Sequence, residues 1–269
     1  MKTIIVPTDF SAAAENAMYY AANLAQQVNS SLLLLHVYQM PVGMVDMPVM
    51  MVSAEEIKKN TDKSLLEAKS LIEKQFPGVG VSTESRLGDV VDELNDFCNS
   101  KDNLAVVIGT KGFKGIEKLL FGNTSIAIIR NCKLPVISVP AKAKVNNPKN
   151  AVLATDLENI NDVPAEKIME LVRSLNLKLH LVHIRSGNKT NQHTVEELAN
   201  VLKEIQPISH TVTDEDVTHG LQEYVDQNNI DLLFVMPHKH NLYERLFFNL
   251  HTEGLIQKMP VPVCCVQKD

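Results

Sequence analysis

The sequence predicts an α/β protein made of two tandem doubly wound domains, each with a five-stranded, mainly parallel sheet. Three observations predict it: an internal repeat, short apolar runs alternating with amphipathic stretches in each copy, and a length of 269 residues that suits two domains. Hydrophobic residues at 45% and charged residues at 22% supply cores without the charge excess of a disordered chain.

The repeat begins at the first strand. Thr3-Ile4-Ile5-Val6-Pro7-Thr8-Asp9 returns loosely as Ala151-Val152-Leu153-Ala154-Thr155-Asp156, placing Asp9 and Asp156 at an offset of 147. The same offset pairs Leu33-Leu34-Leu35-His36-Val37 with His180-Leu181-Val182-His183-Ile184. Near the ends, Leu134 to Val139 matches Val261 to Val266 at an offset of 127, so the second copy is 20 residues shorter. The methionine-rich stretch Met40 to Met51 is where most of that deficit is expected.

In the first copy, strands are expected near 2–7, 31–37, 79–84, 103–108 and 135–139. Between them, Ala12 to Val28 has helical apolar spacing, Ala54 to Gln75 is rich in helix formers, and Asp89 to Cys98 follows the turn glycine Gly88. The second copy repeats the order, with strands near 150–155, 177–184, 208–213, 231–236 and 261–266. The polar, basic segment Ala141 to Asn150, with the turn signal Asn146-Asn147-Pro148, joins the copies, which divides the chain into domains 1–143 and 144–269.

A doubly wound sheet binds ligands beyond the carboxyl ends of its strands. After the first strand comes Pro7-Thr8-Asp9; after the fourth comes Gly109-Thr110-Lys111-Gly112, then Gly122-Asn123-Thr124-Ser125, a segment written G-x2-G-x9-G-N-T-S. Gly109 and Gly112 would let backbone amides approach an anion. Gly122 and Asn123 would open a helix through about Asn131, whose free N–H groups and dipole favour phosphate, with Thr124 and Ser125 adding hydroxyls. Asp9 could accept hydrogen bonds from a ribose or base, and Lys111 could reach phosphate. Glycines after a strand also serve as plain turn punctuation, and neither a Walker lysine motif nor G-x-G-x-x-G is present.

Charge and composition narrow the partners. With 26 basic against 32 acidic residues the net charge is -6, so the basic footprint of a nucleic-acid binder is missing. No apolar run reaches the roughly 18 to 20 residues of a membrane span, and the opening MKTIIVPTDF lacks a secretory h-region, so a cytoplasmic location is expected. Cys98, Cys132, Cys264 and Cys265 show no Cys-x-x-Cys spacing and read as buried thiols, the last two on opposite faces of a strand.

IIVPTDFS at the start, GTKGFKGIEKLLFGNTS in the middle and LPVISVP at the end of the first copy resemble the motifs of the universal stress protein family, and the likeness covers nearly the whole chain as two fused domains. The resemblance implies the sheet order 3-2-1-4-5 and ATP, AMP or ADP as ligand, with magnesium as an accompanying ion. It assigns Pro7, Thr8 and Asp9 to the adenine and ribose end and Val37 to adenine packing. Gly109, Gly112, Gly122, Asn123 and Thr124 would surround ribose and phosphates. Where ATP-binding members carry serine or threonine directly after the last glycine, this chain carries Asn123. The family's fifth strands pair between domains, which gives Val136 to Val139 and Val263 to Val266 an interface role, as an internal pseudo-dimer or in a homodimer.

The second copy departs from that pattern. At the offset of 127, Gly109, Gly112 and Gly122 become Met236, Lys239 and Asn249, so its ATP binding is expected to be poor and its role structural. Apart from His36, the histidines all lie there: His180, His183, His193, His210, His219, His238, His240 and His251. They read as solvated or capping groups, with a metal site around His238 and His240 as the sharper alternative. The chain is thus expected to be a stress-response regulator binding an adenine nucleotide in its first domain. No catalytic or metal-binding residue can be named, although slow ATP hydrolysis stays open. A nucleotide-free interaction module, recruiting an unidentified protein through the Met-rich stretch, and a histidine metal sensor are the alternatives.

Overall fold

The computed structural model describes residues 1–40, 53–100, 102–113, 116–120, 123–141, 143–186, 193–236 and 261–268. Its first half runs β1 (Thr3–Pro7), α1 (Ala12–Gln27), β2 (Ser31–Tyr38), α2 (Ala54–Gln75), β3 (Val81–Leu87), α3 (Val90–Cys98), β4 (Asn103–Phe113), β5 (Ile116–Leu120), α4 (Asn123–Asn131) and β6 (Val136–Pro140). The second runs β7 (Asn150–Thr155), α5 (Ala165–Ser174), β8 (Lys178–Arg185), α6 (Val195–Val201), β9 (Ile208–Thr213), α7 (Val217–Gln227), β10 (Leu232–Val235) and β11 (Val263–Cys265).

Each half carries the order 3-2-1-4-5, and the two join into one sheet, β3-β2-β1-β4-β6-β11-β10-β7-β8-β9. Along this order neighbours within a half are parallel, whereas β6 and β11 meet antiparallel, with Ile137 opposite Cys264. Ser138 Oγ adds a 3.0 Å bond to the Val263 carbonyl across this seam. The fifth strands therefore cover each other's edges inside one chain. Cys264 and Cys265 point into separate apolar clusters on the two faces of the sheet, as alternation requires.

Local chemistry explains the element ends. Ser11, Ser53, Asp89, Thr194 and Asp216 cap their helices with side-chain oxygens, and Thr194 forms a full capping box with Glu197. Asn29, Asn176 and Asn229 adopt left-handed φ values of 51°, 50° and 50° just beyond α1, α5 and α7, a conformation asparagine tolerates at helix ends. The buried small residues Ala14, Ala17, Ala21 and Ala25 let α1 lie close upon the sheet.

Three expectations change. The fourth strand of the first half continues past Gly109 to Phe113 and folds back on β5, so Lys111 and Gly112 sit on a hairpin opposite Leu120 and Leu119. The shorter second copy loses residues mainly from a helix, since α2 has 22 residues and α6 has seven, whereas residues 41–51 of the Met-rich stretch lie outside the described residues. Cys98 and Cys132 are not thiols but a disulfide, with Cα atoms 5.9 Å apart, formed because α3 and α4 pack together and bring distant positions into reach.

Candidate functional site

The cleft of interest lies at the carboxyl ends of β1, β2 and β4, where the connections leave the sheet in different directions. It encloses about 220 Å³ and is lined by Pro7, Thr8, Asp9, Val37, Gly109, Thr124 and Ser125, together with Ser11, Leu35, His36, Val90, Ile108 and Ile128. Seven of the eleven residues singled out by sequence thus meet around one space. Lys111 and Gly112 belong to the β4–β5 hairpin, Asn123 is the first residue of α4, and Gly122 lies outside the described residues.

The turn after β1 is held by its own side chains. Thr8 Oγ1 accepts from the Phe10 N–H at 3.0 Å, and Asp9 Oδ1 accepts from the Ser11 N–H at 3.0 Å. Ser11 Oγ then accepts from the Ala14 N–H at 3.3 Å, starting α1. Phe10 takes φ +59°, costly for a residue with a Cβ, and these bonds hold it there. Asp9 is exposed and lines the cleft.

His36 is a residue the sequence reading passed over. Its Nδ1 lies 2.6 Å from the Thr8 carbonyl oxygen, so Nδ1 carries the hydrogen, and its ring stacks on Phe10 at 4.8 Å. The pair braces the mouth of the cleft between β1 and β2. A signal existed: the repeat offset carries His36 onto His183, whose Nδ1 lies 3.0 Å from the Thr155 carbonyl oxygen.

Gly109 has a packing reason beside the one its motif suggested. A Cβ there would stand 2.2 Å from the Ala13 carbonyl oxygen and 2.9 Å from the Ala14 nitrogen, inside the first turn of α1. Its lack of a side chain lets helix and strand touch at the cleft floor. At the other wall, Thr124 and Ser125 occupy the first turn of α4, where backbone N–H groups lack intrahelical partners and the dipole favours anions.

The described histidines of the second half make contacts of their own. His180 Nδ1 lies 2.7 Å from the Tyr224 hydroxyl, and its ring stacks on His210 at 5.7 Å. Asp214, His219 and Glu223 offer ligand atoms within 4.8 Å of one another. The Asp214 carboxylate there already accepts from His219 Nδ1 at 2.8 Å and from the Asp216 N–H at 2.8 Å, a local cap that explains the cluster. His238, His240 and His251, with Lys239 and Asn249, lie outside the described residues. Among the described residues no helix is long and apolar enough to cross a membrane.

Comparison with known proteins agrees with this architecture. The model of the universal stress protein family matches residues 1–140 and again 148–267. A universal stress protein of Methanocaldococcus jannaschii is 28% identical over 145 residues, covering 53% of this chain and 84% of that one. The solved structure of a universal stress protein from Archaeoglobus fulgidus superposes with a TM-score of 0.75 over 99% of this chain and 98% of its own, at 17% identity. A functionally unknown protein of Pseudomonas aeruginosa gives 0.54 at 10% identity, covering 100% of this chain and 93% of its own. At such identities the structures speak for the fold, and the twofold family match speaks for descent. This chain belongs to the universal stress protein family, with one domain of that family in each half.

Proposed function

We propose that the first domain holds an adenine nucleotide, ATP or its mono- or diphosphate, and that occupancy of the cleft is how this stress-response protein registers its signal. The observation that carries the reading is the convergence of the β1 turn, the end of β2 and the first turn of α4 on one cleft. Its donor set suits such a ligand. Val37 and Ile108 offer an apolar wall for the base, Asp9 an acceptor for ribose hydroxyls, and Thr124 and Ser125 hydroxyls and amides for phosphate.

The cleft is smaller than the roughly 300–1,000 Å³ of typical ligand pockets, so base and ribose fill it and the phosphates extend along α4. Lys111, Gly112, Gly122 and Asn123 complete the phosphate end by resemblance to the family, and magnesium would accompany the phosphates. Turnover is not part of the reading. The second domain acts as a built-in structural partner, in a cytoplasmic protein that hands its signal to another protein, alone or as a homodimer.

Mass spectrometry of the natively purified protein, followed by calorimetry with ATP, tests this. Replacing Thr124→Val and Ser125→Ala together should weaken ATP binding by roughly thirtyfold, since two hydroxyl donors each contribute about 1 kcal/mol. Unchanged affinity would remove α4 from the site. Protein that retains no nucleotide and gives no heat with ATP would return the chain to the interaction-module reading.

A further inference from the structure

The two helices that border the cleft are fastened together at their far ends. Cys98 is the last residue of α3, and Cys132 follows α4, its N–H bonded to the Ile128 carbonyl at 2.9 Å. Their disulfide closes a loop spanning 34 positions, and that loop contains the whole segment from Gly109 to Ser125. At the near ends, Val90 of α3 and Thr124, Ser125 and Ile128 of α4 line the cleft. The corresponding positions of the second copy, at the offset of 127, are Val225 and Met259, so no bridge can form where the glycines are also missing.

We propose that Cys98 and Cys132 form a reversible redox site that sets the affinity of the first-domain cleft, tight as the disulfide and weaker as the dithiol. The proposal rests on the nucleotide reading above for its ligand. A disulfide in a reducing compartment is characteristically a transient, sensing bond. In the reductive direction, a thiolate of a small dithiol attacks the sulfur of Cys98, the less buried of the two residues at 5% exposure against 1% for Cys132. The Cys132 sulfur leaves as a thiolate and takes a proton. The second thiol of the reductant then resolves the mixed disulfide, releasing the Cys98 thiol and a cyclic disulfide, with two electrons transferred. A small-molecule disulfide drives the reverse step and leaves as two thiols.

Coupling to the cleft follows from the loop. Bridged, α4 is pinned against α3 and its first turn stays presented to the ligand. Opened, the 34-position loop regains conformational freedom, and only a fraction of molecules holds the binding arrangement, which divides the apparent affinity by that fraction.

The experiment uses the full chain, oxidised with oxidised glutathione or reduced with dithiothreitol. Thiol alkylation, hydrogen exchange along α4 without ligand, and calorimetry with ATP are followed in each state. Reduction should expose Cys98 and Cys132 to alkylation, speed exchange in α4 and raise the Kd for ATP by roughly fivefold or more, the lower end of ordinary coupling. The Cys98→Ala, Cys132→Ala double variant should match the reduced protein under both conditions. Equal exchange in both states, equal Kd values in both states, or failure of the bridge to form in oxidised glutathione would overturn the proposal. Redox-dependent exchange without ATP binding in either state would refute the nucleotide reading while supporting the switch in α4.

Discussion

The first and second halves leave their opening strands in the same way and then part. Phe10 and Leu157 take φ values of +59° and +60°, and their N–H groups bond Thr8 Oγ1 and Thr155 Oγ1 at 3.0 and 3.1 Å. Beyond that shared turn, α1 starts at Ala12, whereas α5 waits until Ala165, six positions later in the repeat, after a 3₁₀ turn at Ile160–Asp162. The difference tracks one residue on the neighbouring strand. Gly109 admits the α1 backbone; Met236, its counterpart, and Ile160 are partly buried side chains that pack against one and the same apolar cluster. A glycine that reads as a ligand contact also acts on the protein, by leaving room for a helix at the cleft floor.

The comparison breaks most readily at that glycine. Gly109→Ala places a Cβ against the Ala13 carbonyl and should cost about 3 kcal/mol or more, because backbone on both sides must move. Met236→Gly should cost about 2 kcal/mol through lost packing, and it should not restore a helical turn at Ile160. Denaturant titrations of the three proteins measure both effects. A Gly109→Ala protein as stable as the parent would detach the glycine from the helix start.

A smaller effect separates the two aspartates. Asp9 and Asp156 make the same local bond, to the N–H of Ser11 at 3.0 Å and of Glu158 at 3.1 Å. Asparagine keeps that acceptor, so Asp9→Asn should preserve the turn yet weaken ATP by roughly tenfold, the worth of a charge-assisted bond to ribose. Asp156→Asn should leave ATP affinity unchanged, because the proposed nucleotide site lies in the first domain. Calorimetry giving equal losses for both would place nucleotide in both halves.

Element order was legible because apolar periodicity and the repeat are properties of the chain itself. What the glycines do was not: G-x2-G announces missing side chains without saying whether a helix, a hairpin or a ligand fills the space. Gly109 faces α1, and Gly112 stands in a hairpin opposite Leu119. The Cys98–Cys132 bond was equally hidden, since only the packing of α3 on α4 brings those positions within 5.9 Å. The methionine bias of Met40–Met51 drew attention from the helix that had shortened. His36 was readable, through its echo at His183, but a lone histidine among leucines gives no spacing signal.

The smallest effect concerns the histidine excess of the second half, which makes its stability respond to pH with two opposing signs. Burial lowers the His180 pKa, with His210 and Lys178 adding repulsion, and its buried Nε2 has no partner among the described residues. An imidazolium needs two acceptors, so the unfolded chain takes up the proton first. That loss of stability sets in as pH falls below the ordinary histidine value of about 6.5 and continues to the lowered folded value. His219 behaves oppositely. Its bond to Asp214 raises its pKa and lowers that of the carboxylate, so the pair is fully stabilising between the ordinary aspartate and histidine values and weakens outside them. Proton NMR should therefore show His219 titrating above the ordinary value and His180 below it. His180→Phe should blunt acid sensitivity, whereas His219→Ala should destabilise near pH 6 and be nearly neutral near pH 8. A first half that lost stability in step with the second on acidification would show that the sensitivity belongs to the common sheet and not to these side chains.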